Sequence, residues 1–361
     1  MTDTHRVRFE PVDIEIEANE DETVLDAAFR QGIMPLHGCK EGQCSSCKSF
    51  LLDGDTQMDR YSTFALADYE SDEGYVLLCR AHAYSDLDIE LINYDEDMIR
   101  AGLPVVTVGT RIEAIEPLTH DISLLRLSIS GGDEFKFHPG QYVDIAVPGS
   151  DEHRSFSMAN LPRDHDGTLE FIIKRYPGGH FSGLLENELA VGDELRVTGP
   201  YGTFTLRTSS ERRLVFIGGG AGMAPILSLL RQIAGNAGFD REVVFYYGAR
   251  TESDLMLLDE LRELGSRIAN FRFVPCLSDA GHTDAGHTDG AAVDWQQLGV
   301  EGTTGLVTSV VDEREPRIAE SDVYMCGPPP MIDAGLEMLE NRRVPAEQVF
   351  YDKFTVSAEA D

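Results

Sequence analysis

Basic residues are scarce in this chain of 361 residues: 30 lysines and arginines stand against 63 aspartates and glutamates, for a formal net charge of −33. Such a chain repels phosphate backbones and anionic lipid headgroups, so neither nucleic acid nor a membrane surface is expected as a partner. The scarcity is uneven. Residues 1–100 carry 8 bases against 23 acids, and residues 101–361 carry 22 against 40. That excess reads as a solubility device or as an acidic docking face. Long apolar runs are also missing. The longest, "LVFIGGGAGMAPILSLL" at 214–230, is broken by four glycines and a proline and falls short of a membrane span. The acidic N-terminal stretch has no apolar segment of the kind a secretory signal needs, so a cytoplasmic protein is expected. Only six cysteines are present. In a reducing compartment they are expected as metal ligands or reactive thiols rather than as disulfides.

What is present is ordinary globular composition, in a chain long enough for two or three cores. Three regimes follow one another. Residues 1–99 predict a small α+β unit: "RVRFEPVDIEIEA" alternates like two strands, and "EDETVLDAAFRQG" is a helix closed by Gly32. Residues 95–104 read as a linker. Residues 104–208 alternate with period two in "SLLRLSIS", "QYVDIAV", "TLEFIIKRY" and "DELRVTG", as in an antiparallel β-barrel. From 209 to 361 strands alternate with helices, including one over "SDLMLLDELRELG", which predicts a doubly wound parallel α/β sheet. The repeat "AGHTDAGHTDG" at 280–290 reads as a polar loop without a role for its histidines.

"HGCKEGQCSSCKSF" at 37–50 places Cys39, Cys44 and Cys47 together, and "GYVLLCRAH" adds Cys79. The spacing C-x4-C-x2-C, then a fourth cysteine after 31 residues, is that of a plant-type [2Fe–2S] centre. Gly38 and Gly42 let the backbone bend close to the sulfurs. Zinc favours paired C-x2-C halves, and only one exists here. A redox pair of Cys44 and Cys47 leaves Cys39 and Cys79 unexplained. With four cysteines completing the set, His37 is read as a neighbour of the site, not a ligand.

With these cysteines the chain resembles the NADH-dependent iron–sulfur flavoprotein reductases that feed bacterial oxygenases. The first unit then corresponds to a β-grasp ferredoxin domain. In the middle region "FHPGQYVDI", "HRSFSMANLP", "FIIKRYPGGHFSGLL" and "GPYGTF" resemble the family's flavin segments. The resemblance implies FAD, with FMN as the alternative. Arg154 would meet its pyrophosphate, Phe156 would pack on the ribityl–ring region and Ser157 would lie near N5. Lys174, Gly179 and Ser182 complete the flavin set. Family members more often carry Tyr at position 156. "IGGGAGMAP" resembles the superfamily's nicotinamide turn, implying NADH contacts from Gly218, Gly220, Gly222, Met223 and Pro225. "YMCGPPPM" adds Cys326 and Gly327 beside the nicotinamide, and the ending "VFYDKFTVS" places Asp352 and Phe354 near the flavin. Cys276 reads as core. Strand "VVFYYGAR" has no acid at its tip for a ribose 2′-hydroxyl, and Arg250 there could meet a 2′-phosphate. The resemblance favours NADH.

The implied activity is electron transfer from NADH through FAD and [2Fe–2S] to the hydroxylase component of a di-iron monooxygenase acting on propane, alkenes or cyclic ethers. No side-chain acid or base is needed for the hydride step. The alternatives are the reductase of an aromatic-ring hydroxylase, phenol-type or Rieske, and a redox sensor.

Overall fold

The computed structural model describes residues 3–131, 134–162, 167–279 and 293–354. The histidine repeat lies outside them. The chain divides into two compact units: Met1–Thr107 with Thr198–Thr203, and Val108–Val197 with Phe204–Asp361. Among the described residues no helix is long and apolar enough to cross a membrane.

The first unit contains β1 (Thr4–Glu10), β2 (Ile14–Asn19), α1 (Val24–Arg30), β3 (Lys48–Asp53), β4 (Thr56–Met58), α2 (Asp68–Asp72), β5 (Tyr75–Leu77), β6 (Ala81–Ala83), β7 (Leu87–Leu91) and α3 (Glu96–Arg100). Alternation sets the sheet's inner face: Val7 and Phe9 on β1 and Ile14, Ile16 and Ala18 on β2 are buried, while Glu15 and Glu17 between them are exposed. Thr23 caps α1 by accepting the Asp26 N–H at 3.1 Å. The mixed sheet runs β2-β1-β7-β3-β5, with β1 parallel to β7 and α1 packed on it, which is the predicted β-grasp arrangement. The segment read as a linker opens with α3, because Asp95 accepts the Met98 N–H at 3.1 Å and caps a turn.

The second unit opens with β8 (Val106–Pro117, from Val108 onward), β9 (Ile122–Ile129), β10 (Tyr142–Ala146), β11 (His153–Ser157), β12 (Thr168–Lys174), α4 (His180–Asn187) and β13 (Glu194–Tyr201, as far as Val197). They form one sheet in the order β11-β10-β13-β8-β9-β12. A bridge between Met158 and Phe171 joins its two edges, so the sheet curls into a near-closed barrel. Leu125, Leu127, Val143, Ile145 and Phe171 fill the inside.

Next come β14 (Arg213–Gly219), α5 (Met223–Ala234), β15 (Val243–Ala249), α6 (Leu258–Arg267), β16 (Phe271–Leu277), α7 (Trp295–Leu298), β17 (Thr303–Thr304), α8 (Val307–Arg314), β18 (Ser321–Gly327), α9 (Pro329–Asn341) and β19 (Val349–Lys353). Their sheet is parallel, in the order β17-β16-β15-β14-β18-β19. Both faces are covered. Phe216 and Phe245 pack with α5 and α6, while Val215, Ile217 and Val244 pack with α8 and α9. Strand order reverses between β14 and β18, the switch point where α/β sheets bind ligands. The helix expected over "SDLMLLDELRELG" starts late: Leu257 at φ +56° precedes it, and Glu252–Asp254 forms a separate 3-10 turn. At the opposite strand ends Glu315, buried, accepts from Arg213 at 2.6 Å, Arg272 at 2.9 Å and the Tyr246 hydroxyl at 2.5 Å.

Candidate functional site

Cys47 directly precedes β3, and Cys79 follows β5 by one residue. The antiparallel ladder pairs Lys48 with Leu77, and the Leu78 N–H donates to the Cys47 carbonyl at 3.2 Å. Two residues distant in sequence are thereby locked together, with their sulfurs 3.3 Å apart. The other two cysteines meet within the loop. Left-handed backbone at Lys40, Gly42 and Ser45 curls it, so that the Cys39 N–H reaches the Cys44 sulfur at 3.2 Å. The Glu41 and Gln43 N–H groups point at the Cys39 sulfur, at 3.4 and 3.2 Å. Gly42, at φ +69°, has no room for a side chain: a Cβ there would lie 2.9 Å from Tyr61 Cβ.

The four cysteines thus form two pairs, Cys39 with Cys44 and Cys47 with Cys79. A hydrogen bond from Cys39, joined by Ser46, draws the Cys44 thiol down to about 5, while Cys39 rises well above an ordinary thiol. In the other pair Cys79 is lowered by its bond from Cys47, and Cys47 is raised by that bond and by burial. Soft donors in two pairs, with backbone N–H groups aimed at sulfur, fit an Fe2S2 rhomb held by two thiolates per iron. His37 is buried beside the loop. Its Nδ1 donates to the Pro35 carbonyl at 2.8 Å, and its Nε2 accepts the Gly202 N–H at 3.1 Å. Both ring nitrogens are therefore occupied in one neutral tautomer.

In the second unit β11 alternates so that Arg154 and Phe156 share a face. Phe156 meets Phe181 on α4 with ring centroids 5.1 Å apart. Arg154 is ion-paired to Glu152 at 2.7 Å, and His180 at the start of α4 approaches the same carboxylate at 3.4 Å. Ser157 is buried at the strand's end. The Ser182 hydroxyl bonds back to the Gly179 carbonyl at 3.2 Å, shaping the turn into α4. The sequence reading missed Glu152, His180 and Phe181. The match of a strand face to a helix start becomes visible only in three dimensions. The cation and aromatic ring on one face of the strand, with the Ser157 hydroxyl at its end, suit a flavin's pyrophosphate, ribityl chain and ring.

Gly218 is the penultimate residue of β14, Gly220–Gly222 forms a 3-10 turn, and Met223 and Pro225 open α5, both buried. The turn presses on the end of β18. A Cβ on Gly222 would stand 2.0 Å from the Cys326 carbonyl oxygen, so the position excludes any side chain. Register pairs Cys326 with Asp352 and Gly327 with Lys353, and the Phe354 N–H donates to the Gly327 carbonyl at 3.0 Å. Gly222, Cys326, Gly327, Asp352 and Phe354 are therefore brought together. Burial, with Asp352 nearby, keeps the Cys326 thiol protonated far above its usual range. Cys276 is buried as expected. Arg250 is ion-paired to Asp279 at 3.1 Å, and the Asp279 N–H donates to the Arg250 carbonyl at 2.8 Å. An acid thus stands at the sheet's carboxyl edge, supplied by the segment after β16 and not by β15 itself.

Burial lifts the Asp352 carboxyl to about 6. The folded chain holds this proton more tightly than the unfolded chain, so the contribution of Asp352 to stability is greatest in acid. It falls as pH rises through about 4 to 6 and stays reduced above that window. Asp352→Asn should abolish that fall. Scanning calorimetry should give a higher melting temperature than the parent at about pH 8 and little difference near pH 4. An equal difference at both would rule out the carboxyl as its cause.

Models of three domain families match the chain: a 2Fe-2S iron-sulfur cluster binding domain over residues 7–84, an oxidoreductase FAD-binding domain over 110–206 and an oxidoreductase NAD-binding domain over 216–336. The propane 2-monooxygenase reductase component of Rhodococcus jostii is 55% identical over 99% of this chain and 93% of that one. The phenol 2-monooxygenase reductase component DmpP of Pseudomonas is 33% identical over 99% and 96%. The crystal structure of the Amycolatopsis cytochrome P450 reductase GcoB superposes with a TM-score of 0.84, at 29% identity over 98% of this chain and all of that one. Matches of this extent cover all three modules in one order, and the chain belongs to the family of NADH-dependent [2Fe–2S]/FAD reductase components of multicomponent oxygenases.

Proposed function

We propose that this chain supplies electrons from NADH to the hydroxylase of a soluble di-iron monooxygenase acting on propane or a similar small substrate. The observation that carries this is the 55% identity, over nearly the full length of both chains, to a propane 2-monooxygenase reductase component. The phenol and Rieske reading is weaker on the same measure, at 33% identity to DmpP. When bound, the flavin takes the hydride's electron pair from NADH and the cluster relays electrons singly.

The chain's own residues bind, orient and insulate. On this reading residues 1–99 form the ferredoxin domain, 104–208 the FAD domain and 209–361 the nicotinamide domain of a cytoplasmic protein. Cys39, Cys44, Cys47 and Cys79 hold the iron. Arg154 with Ser182 and Gly179 seats the FAD pyrophosphate, Phe156 covers the ribityl–ring region, and Ser157 offers a hydroxyl near N5. Gly218, Gly220 and Gly222 let the dinucleotide lie against the ends of β14 and β18, above Met223 and Pro225. Cys326 and Gly327 flank the nicotinamide, and Asp352 and Phe354 close the site on the flavin side. Cys326, held as a neutral thiol, presents no charge to a hydride in transit. The carboxylate of Asp279 beside Arg250 leaves that guanidinium less available to a 2′-phosphate, which supports NADH over NADPH.

The test is reconstitution of the purified chain with di-iron propane, phenol and Rieske oxygenase components under NADH, with product analysis. The expected outcome is propane oxidation with the first alone. Turnover only with an aromatic-ring oxygenase would reassign the partner. Negligible NADH oxidation with any artificial acceptor would favour a sensor.

A further inference from the structure

Lys174, which the resemblance placed in the flavin set, ends β12 at the barrel's rim, but its side chain leans toward the nicotinamide turn instead: a Cβ built on Gly220 would lie 3.8 Å from Lys174 Cδ. Its ammonium is ion-paired to Asp121 at 2.9 Å. Asp121 sits in the turn between β8 and β9, and that turn is held from several sides. The Thr119 hydroxyl donates to Asp121 Oδ1 at 3.1 Å, and the Arg175 N–H donates to the Asp121 carbonyl at 2.7 Å. The Arg175 guanidinium also bonds the neighbouring His120 carbonyl. On its other side His120 Nδ1 lies 3.5 Å from Asp254 Oδ1, in the 3-10 turn after β15. Tyr247 completes the enclosure, its hydroxyl donating to the Gly220 carbonyl at 3.2 Å. A polar chain therefore runs from the end of β12 through the β8–β9 turn to the tip of β15, along the glycine turn.

We infer that Asp121 is a positioning residue of the nicotinamide site, holding the Lys174 ammonium beside the Gly218–Gly222 turn so that it meets the dinucleotide's pyrophosphate already ordered. A lysine has a flexible four-carbon stem, and freezing it before the ligand arrives removes an entropic cost from binding. Without Asp121 the ammonium would swing, and in this acidic chain other carboxylates, such as Asp254 and Glu252 on the adjoining turn, would collect it. Asp121 adds a negative charge near the ligand, but that charge is already engaged by Lys174 and Thr119.

This inference rests on the glycine turn being the dinucleotide's seat. NAD+ is titrated by calorimetry into the oxidised holoenzyme, and NADH kinetics are measured beside it. Asp121→Asn should weaken NAD+ binding and raise KM for NADH by about tenfold while kcat stays within about twofold. Asp121→Glu should recover most of the loss. Lys174→Met should match Asp121→Asn, and the double variant should bind no worse than Lys174→Met alone, because the two act as one unit. Unchanged or tighter NAD+ binding by Asp121→Asn, or additive losses in the double variant, would overturn the assignment. Failure of the unaltered holoenzyme to bind NAD+ would overturn the seat itself, and the assignment with it.

Discussion

Cys44→Ser should abolish cytochrome c reduction and leave ferricyanide reduction by the flavin nearly intact. Cys44 stands opposite Cys39 in the loop, its sulfur 3.2 Å from the Cys39 N–H. It is the exposed member of its pair, on a loop outside the sheet core, so the substitution removes a ligand without opening a cavity. Serine keeps the size and loses the soft, easily ionised sulfur that lies beside Cys39 and the Ser46 hydroxyl. An iron left with Cys39 alone is no longer closed, and cluster absorbance should vanish. Cytochrome c reduction should drop by more than about a hundredfold, since loss even of outer-shell partners costs metal sites up to that much. Ferricyanide takes electrons from the flavin directly and should keep its rate within about twofold. Equal loss of both activities would contradict the proposed order of electron flow.

Glu315→Ala is the second large effect, and it acts on stability. The carboxylate is buried between Arg213, Arg272 and the Tyr246 hydroxyl. Truncation leaves the Arg213 guanidinium with Glu242, at 2.9 Å, in place of its buried partner, and leaves the buried Tyr246 phenol without its acceptor, close to the case in which breaking a buried pair costs about 3–5 kcal/mol. Glu315→Gln keeps the shape and one acceptor and should cost less. Both sit at the strand ends opposite the Gly218–Gly222 turn, so KM for NADH should not move in whatever fraction remains folded. Urea titration of the parent and both variants checks this. A loss below about 1 kcal/mol for the alanine variant would mean that water replaces the carboxylate.

The two predictions also mark how far the sequence could be read. The cysteine spacing was legible because iron–sulfur chemistry fixes both residue type and separation, and the β3–β5 ladder then places Cys79 as the pattern required. The strand–glycine turn–helix of 213–234 was legible because a period-two run, a turn and a period-3.6 run follow one another locally. What stayed hidden depends on register between distant strands. Asp121 finds Lys174 only because the barrel sets the β8–β9 turn against the end of β12. Asp279 finds Arg250 only because β16 lies beside β15. The shortened α6 was hidden for a local reason: nothing in "LMLL" announces a left-handed leucine at 257.

Residues Thr198–Thr203, at the end of β13, belong to the compact unit of the cysteine loop, where the Gly202 N–H satisfies the His37 ring and Tyr201 lies against Phe29. The iron-binding module is thus not a cassette that gene fusion can lift out at its apparent boundary. A fragment ending at residue 107 would carry His37 with an unanswered Nε2 and an uncovered Phe29. Grafting the module onto a different flavoprotein would require the recipient strand to bring its own Gly-Pro-Tyr-Gly equivalent.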